Sequence, residues 1–165
     1  MIRMSKQADY GLVLMTQFVR SADRKENLSA RELAGQTRLP LPMVSKVLKA
    51  LAREGLLLSH RGPSGGYSLS RKPEHISVAE VLTAVEGPIA VTECLDDDGG
   101  GCRQVKVCPV KTNWERVNYA IKNVLDAITL QDMIEPLPDG WVTLGELSAE
   151  ASEADGPVKE TAGVA

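Results

Sequence analysis

Leu41-Pro42-Met43-Val44-Ser45-Lys46-Val47-Leu48-Lys49-Ala50-Leu51-Ala52-Arg53-Glu54-Gly55, followed after a short gap by Arg61-Gly62-Pro63-Ser64-Gly65-Gly66-Tyr67, decides the fold of this chain. Val44, Val47, Leu48 and Leu51 recur at i, i+3, i+4, i+7, the spacing of one helix face. Pro42 suits the first turn of that helix, where a missing N–H leaves no bond unmade. Gly55 supplies a left-handed stop. The other face is left with Pro42, Met43, Ser45, Lys46, Lys49 and Arg53. The second stretch lies between Leu56-Leu57-Leu58-Ser59 and Tyr67-Ser68-Leu69-Ser70, which read as two short strands, so residues 62–66 form the turn of a hairpin.

Working outward, Ser29-Ala30-Arg31-Glu32 is a capping box: the serine hydroxyl can accept from the Glu32 amide while the carboxylate reaches back to the Ser29 amide. It opens a short helix to about Thr37, broken by Leu39-Pro40-Leu41-Pro42. Helix, turn, helix, glycine-rich hairpin is the order of a winged helix-turn-helix, so a mainly α fold is expected. Ahead of it, Ser5 can cap a helix to Ser21 that places Leu12, Met15 and Val19 on one face, and Ala22 to Asn27 reads as a loop. Behind it, Ser77-Val78-Ala79-Glu80 is a second capping box, opening a helix to about Glu86 that Gly87-Pro88 ends. A longer helix is expected from about Pro109 to Ile128, with Val110, Trp114, Val117, Ile121, Val124 and Ile128 spaced by four and three, as in a helix that packs along a partner helix. The expected organisation is a winged helix-turn-helix over 1–72, a connecting helix over 73–90, a cysteine loop over 91–109, a dimerisation helix over 110–135 and an acidic, disordered tail over 136–165.

Charge separates the halves. Residues 1–72 hold 13 Lys and Arg against 5 Asp and Glu, a net +8, whereas residues 73–165 hold 6 against 17, a net −11. A basic half is the electrostatic footprint of a polyanion partner. Ser45 and Lys46, near the start of the second helix, stand where a recognition helix meets base edges. Lys49 and Arg53 are better placed for phosphates. At the hairpin tip Arg61 and Ser64 can approach a backbone or a narrow minor groove. The competing reading of each is an ordinary solvated surface; the order of elements together with the charge favours double-stranded DNA. Aromatic residues make up only 4%, which argues against a binder that stacks single-stranded bases.

The three cysteines are spaced Cys94-x7-Cys102-x5-Cys108, around an acidic run (Asp96, Asp97, Asp98) and three glycines (Gly99, Gly100, Gly101). This is neither the paired spacing of a zinc ribbon nor a redox CxxC. A flexible loop with three thiols can wrap something larger than one ion. Three readings stand: an iron–sulfur cluster with one non-cysteine position, zinc or another metal, and free or redox-active thiols.

Arg61-Gly62-Pro63-Ser64-Gly65-Gly66-Tyr67, the three cysteines, and Trp114 six residues after the last of them resemble the IscR–NsrR family of winged-helix iron–sulfur transcription regulators, over about residues 1–135. The resemblance implies a homodimer in which the long C-terminal helices cross, bound to a palindromic operator, with each cluster loop near the other subunit's first helix. It implies cluster thiolates at Cys94, Cys102 and Cys108, recognition-helix positions at Ser45 and Lys46, and the wing arginine at Arg61. Two features depart from the family's assembly-gene regulators. The first cysteine spacing is two residues longer, and Lys111 stands where they carry a histidine. An ammonium is a poor iron ligand. The NsrR-like branch takes a carboxylate from the partner's first helix instead, a position that Asp9 matches; its competing reading is a first-turn acid favoured by the helix dipole. Such a site resembles a four-iron more than a two-iron (2Fe-2S) cluster. The acidic run is a second ligand source that otherwise keeps the loop solvated, and His60 and His75 read as surface residues. The loop is similar to that of regulators of sulfur-mobilisation (suf-type) iron–sulfur assembly genes, which implies a repressor that senses cluster status.

Two alternatives accompany this reading: a nitric oxide or redox-sensing repressor of the same fold, and an iron–sulfur carrier. No enzyme is expected, since no catalytic Ser/His/Asp set, phosphate loop or dinucleotide fingerprint is present. No apolar run approaches the roughly 20 residues of a membrane span. Met1-Ile2-Arg3-Met4-Ser5-Lys6 has no apolar stretch after its charges, so a cytoplasmic protein is expected.

Overall fold

Ser5 starts the first helix as its composition suggests. Its hydroxyl accepts the backbone N–H groups of Gln7 and Ala8 at 3.1 and 3.3 Å. In the computed structural model, which describes residues 4–21, 27–62, 64–95, 102 and 106–136, this helix (α1) spans Lys6–Ser21. The chain divides into two units, Met1–Glu135 and Pro136–Ala165; the acidic tail expected beyond residue 136 lies outside the described residues. Helix α1 buries more than the expected face: Leu14 and Phe18 join Met15 and Val19 in the main core, while Leu12 is half-buried between that core and a smaller cluster of Ala8, Val78 and Leu82. Gly11 lets the helix approach closely, since a Cβ there would stand 3.1 Å from the Val85 side chain.

Both capping boxes form. Glu32 N–H donates to Ser29 Oγ at 3.2 Å and Ser29 N–H donates to the Glu32 carboxylate at 2.7 Å, opening α2 over Ala30–Thr37. The Ser29 hydroxyl and backbone N–H hold the Glu32 carboxyl below the usual carboxylate range. The helix ends on Arg38 in the left-handed conformation (φ 58°), a stop the sequence does not signal with glycine. Helix α3 spans Leu41–Arg53 and buries Val44, Val47, Leu48 and Leu51, as the spacing predicts. Gly55 follows at φ +75°.

Two antiparallel strands make the wing, β1 (Leu57–His60) and β2 (Gly66–Leu69), in the register Leu57↔Leu69 to His60↔Gly66. Each is offset by one residue from its expected span, an ordinary uncertainty at strand ends. Leu28 bridges the other edge of β2: its N–H donates to Tyr67 O at 3.0 Å and its carbonyl accepts Tyr67 N–H at 2.9 Å. Gly66 is required there, because a Cβ would lie 2.7 Å from Leu28 O. The wing is therefore pinned to the segment that leads into α2.

The second capping box opens α4, Val78–Glu86. Burial pushes the Glu80 carboxyl up, but the Ser77 backbone N–H, the Arg71 guanidinium at 2.8 Å and the Ser77 hydroxyl outweigh it and hold the group below its usual range. A carboxylate held this way adds stability above the ordinary carboxylate range and loses it as pH falls through the lowered value. Helix α5 spans Lys111–Ala127 and not the whole of 110–135. The chain straightens at Ile128, which accepts Val78 N–H at 2.8 Å, and Leu130 N–H donates to Ile76 O at 2.9 Å. This exchange buries Leu130 completely in the main core beside Ile76, a gain that further helix would forgo. Thr129 and Asp132 then cap a short 3-10 turn over Asp132–Ile134, with the Thr129 N–H and hydroxyl both 2.7 Å from the carboxylate, which they hold below its usual range. Among the described residues, no helix is long and apolar enough to cross a membrane.

Candidate DNA-binding face and cysteine loop

With Val44, Val47, Leu48 and Leu51 turned into the core, helix periodicity sends Pro42, Lys46, Lys49 and Arg53 to the opposite side, and all four are exposed. Ser45 is half-buried on the flank. Lys46, Lys49 and Arg53 line one cleft of about 390 Å3, whose other walls come from Gln7 at the start of α1, Val47 and Ala50 of α3, and Val85 of α4. Gln7 was not singled out by the sequence; nothing local marks a glutamine in a first turn as the neighbour of a distant basic face. Arg53 also meets Glu54 at 3.0 Å, but both are well exposed and water screens such a pair, so the guanidinium remains available to a phosphate.

Arg61 and Ser64 are both exposed at the wing tip. Gly62 turns the chain at φ +110°, and Gly65 N–H donates to Gly62 O at 2.9 Å. A Cβ on Gly65 would fall 2.6 Å from His60 O, so the tight tip depends on glycine. Asn27 steadies the tip by donating from its amide to Ser64 O at 3.3 Å. His60 is exposed and bonded to Ser68 at 2.9 Å across the hairpin; His75 sits in the 3-10 turn Pro73–His75.

Cys94 lies in a short turn, Glu93–Leu95, that packs against α5, with Thr92 Oγ1 3.2 Å from its sulfur. Cys108 stands just ahead of α5, whose Lys111 pairs with Glu115 at 3.6 Å. Cys94, Cys102 and Cys108 are all free thiols, each half-buried. Asp9 is exposed on the first turn of α1. Among the described residues, no three His, Cys, Asp or Glu side chains are gathered into a group able to hold a metal ion. The acidic run Asp96–Asp98 lies outside them.

The expected seam of α5 is divided. Ile121 and Ile128 are half-buried, and with Leu125 they turn toward the chain's own body, where Leu125 and Ile128 pack on the cluster of Ala8, Val78 and Leu82. Val110, Trp114, Val117 and Val124, on the same broad face, stay 44, 38, 41 and 61% exposed. Asn118 belongs to the inner side, where its side chain bonds the backbone at both Ile89 and Val91. An asparagine flanked by apolar seam positions was the available signal for such a role.

A two-stranded wing behind an exposed basic helix defines a winged-helix protein built to read DNA. Residues 4–136 match the model of the Rrf2 family, described as iron-dependent transcriptional regulators. The chain is 29% identical over 132 residues to the transcriptional regulator CymR of Bacillus subtilis, covering 80% of this chain and 89% of that one. The structure of CymR, the global cysteine regulator of that organism, superposes with a TM-score of 0.63, covering 81% of this chain and 96% of that one. The IscR of T. potens is similar at a TM-score of 0.62 and 25% identity, over 95% of this chain and 93% of its own. The transcriptional regulator NsrR of Geobacillus kaustophilus is 25% identical over 134 residues, 81% of this chain and 90% of that one. The chain belongs to the Rrf2 family of DNA-binding transcriptional regulators. These relatives are regulators of transcription and not enzymes.

Proposed function

We propose that the chain is a homodimeric repressor that reads a palindromic double-stranded operator and senses iron–sulfur cluster status through Cys94, Cys102 and Cys108, controlling suf-type assembly genes. The observation that carries this reading is a single loop bearing three free, half-buried thiols whose first turn packs against α5, in a chain of an iron-dependent regulator family. The donor set suits a cluster: three thiolates from one chain leave one coordination position, for which the partner's Asp9 is the candidate. A cluster held there would supply a centre responsive to redox state and nitric oxide.

The chain's own residues then do the regulatory work. The exposed strip of Val110, Trp114, Val117 and Val124 is the surface on which two α5 helices would cross. Asp9 and Gln7 share the first turn of α1, and Gln7 walls the cleft that holds Lys46, Lys49 and Arg53. Holding the cysteine loop against that turn would therefore bear on the placement of the recognition helix. Half-sites must lie about one helical turn apart, so small changes in the distance between two recognition helices alter affinity. Such coupling requires a contact that differs between the two states, and Asp9 offers it. The likeness to CymR, named a global cysteine regulator, favours a second reading, in which the cysteines act as thiols without metal.

Native mass spectrometry of anaerobically purified protein separates these. A dimer carrying iron and sulfide, with a four-iron mass lost in Asp9→Ala but normal folding of that variant, is the expected result. A two-iron mass would assign the fourth position elsewhere. A metal-free or zinc-bound dimer would sink the cluster reading in favour of thiols or zinc.

A further inference from the structure

We infer that Asn118 is a positioning residue that fixes the first turn of the cysteine loop, and with it Cys94, in register with α5. Its carboxamide is used in both directions on one strand of backbone: Oδ1 accepts Val91 N–H at 3.0 Å and Nδ2 donates to Ile89 O at 3.0 Å. A planar amide that engages residues two apart mimics the edge of a neighbouring strand, and its two bonds fix both the height and the slide of the segment along the helix. Cys94 follows three residues after Val91, in the turn that packs against the same helix.

The packing below makes this tie matter. Gly87 ends α4 at φ +93°, and the segment 88–91 then runs over a cavity of about 400 Å3 lined by Leu82, Ile89, Val91, Ile121 and Leu125, with Met4 at its side. Side chains along an open cleft are packed on one face only, so apolar contact alone restrains the segment weakly. The two directional bonds of Asn118 supply the restraint. Asn118 itself is half-buried on the packed side of α5, next to Leu125 around the helix. Displacement of the loop's first turn is thereby passed to the helix, and displacement of the helix to Cys94. This inference rests on the cysteines being the sensing group, but the two Asn118 bonds involve protein atoms alone.

The test follows thiol kinetics in the full-length, metal-free, reduced protein. Cys94 and Cys108 are labelled with N-ethylmaleimide and their rates resolved by peptide mass spectrometry. Asn118→Ala is expected to raise the ratio of Cys94 to Cys108 reactivity about fivefold, the order of effect of losing a hydrogen-bonded restraint, with the rate at Cys108 unchanged. An unchanged ratio overturns the inference. A rise of both rates together leaves the ratio unchanged and would make Asn118 a general structural residue. Should the variant fail to fold, hydrogen exchange at Val91 in the unaltered chain decides: protection supports the tie, and exchange at the rate of an open peptide refutes it. Iron and sulfide content of the unaltered protein tests the sensing reading separately, since the labelling needs no cluster.

Discussion

The winged-helix head and the region from the cysteine loop through α5 are built to different standards of completeness. In the head, Leu14, Met15, Leu33, Leu48, Leu51 and Ile76 are all fully buried by side chains of the same chain. Both capping boxes close there and the wing is tied at Leu28. Helix α5 contributes no buried residue and leaves Val110, Trp114, Val117 and Val124 exposed along one face. The main core of this region is closed within one chain, Leu130 included. A helix with an exposed apolar strip gains stability only when something covers it. The difference teaches where regulation can enter: α3 is held by the chain's own core, whereas α5 leaves an apolar face still to be covered.

The contrast can be broken or sharpened by measurement. The largest effect is expected for Leu130→Ala, which opens a void in the main core. It should cost about 3 kcal/mol, read as a lowered urea midpoint at fixed protein concentration. Next in size, Lys49→Ala should flatten the slope of log K against log salt by about 0.9 in operator titrations. Gln7→Ala, which removes a neutral donor from the same cleft, should weaken binding and leave that slope unchanged. A slope altered equally by both would show that the cleft is not where phosphates are met. The smallest effect is expected for Cys102→Ser in the metal-free protein, within about 0.5 kcal/mol of the parent by the same urea assay. Equal losses for Leu130→Ala and Cys102→Ser would erase the division between head and loop.

The head was legible because its signals are local. Val44, Val47, Leu48 and Leu51 announce their face by spacing, Ser29 with Glu32 and Ser77 with Glu80 announce their helix starts, and the glycines around Pro63 announce the turn. What escaped depends on chain segments far apart in sequence. Arg38 ends α2 in a left-handed conformation because the following prolines demand a turn, with no glycine to flag it. Leu130 reads as one more residue beyond a helix until the bridge between Ser77 and Thr129 carries it inward. Gln7 and Asn118 have polar side chains whose neighbours lie 39 or more and 27 to 29 residues away, respectively, and no periodicity encodes that meeting. The cysteines were visible as a set by spacing alone; which group they hold depends on chemistry that spacing does not carry.

Leu130 also sets an order in time. The ribosome releases the recognition helix long before it makes this residue, several seconds at about 5–20 residues per second. Until then the core that orients α3 lacks one of its fully buried side chains, and contacts so distant along the chain form late in folding. The cysteine loop and α5 are therefore already synthesised when the head first closes. A nascent chain that stops short of residue 130 would carry the basic face of α3 on a core that lacks this side chain.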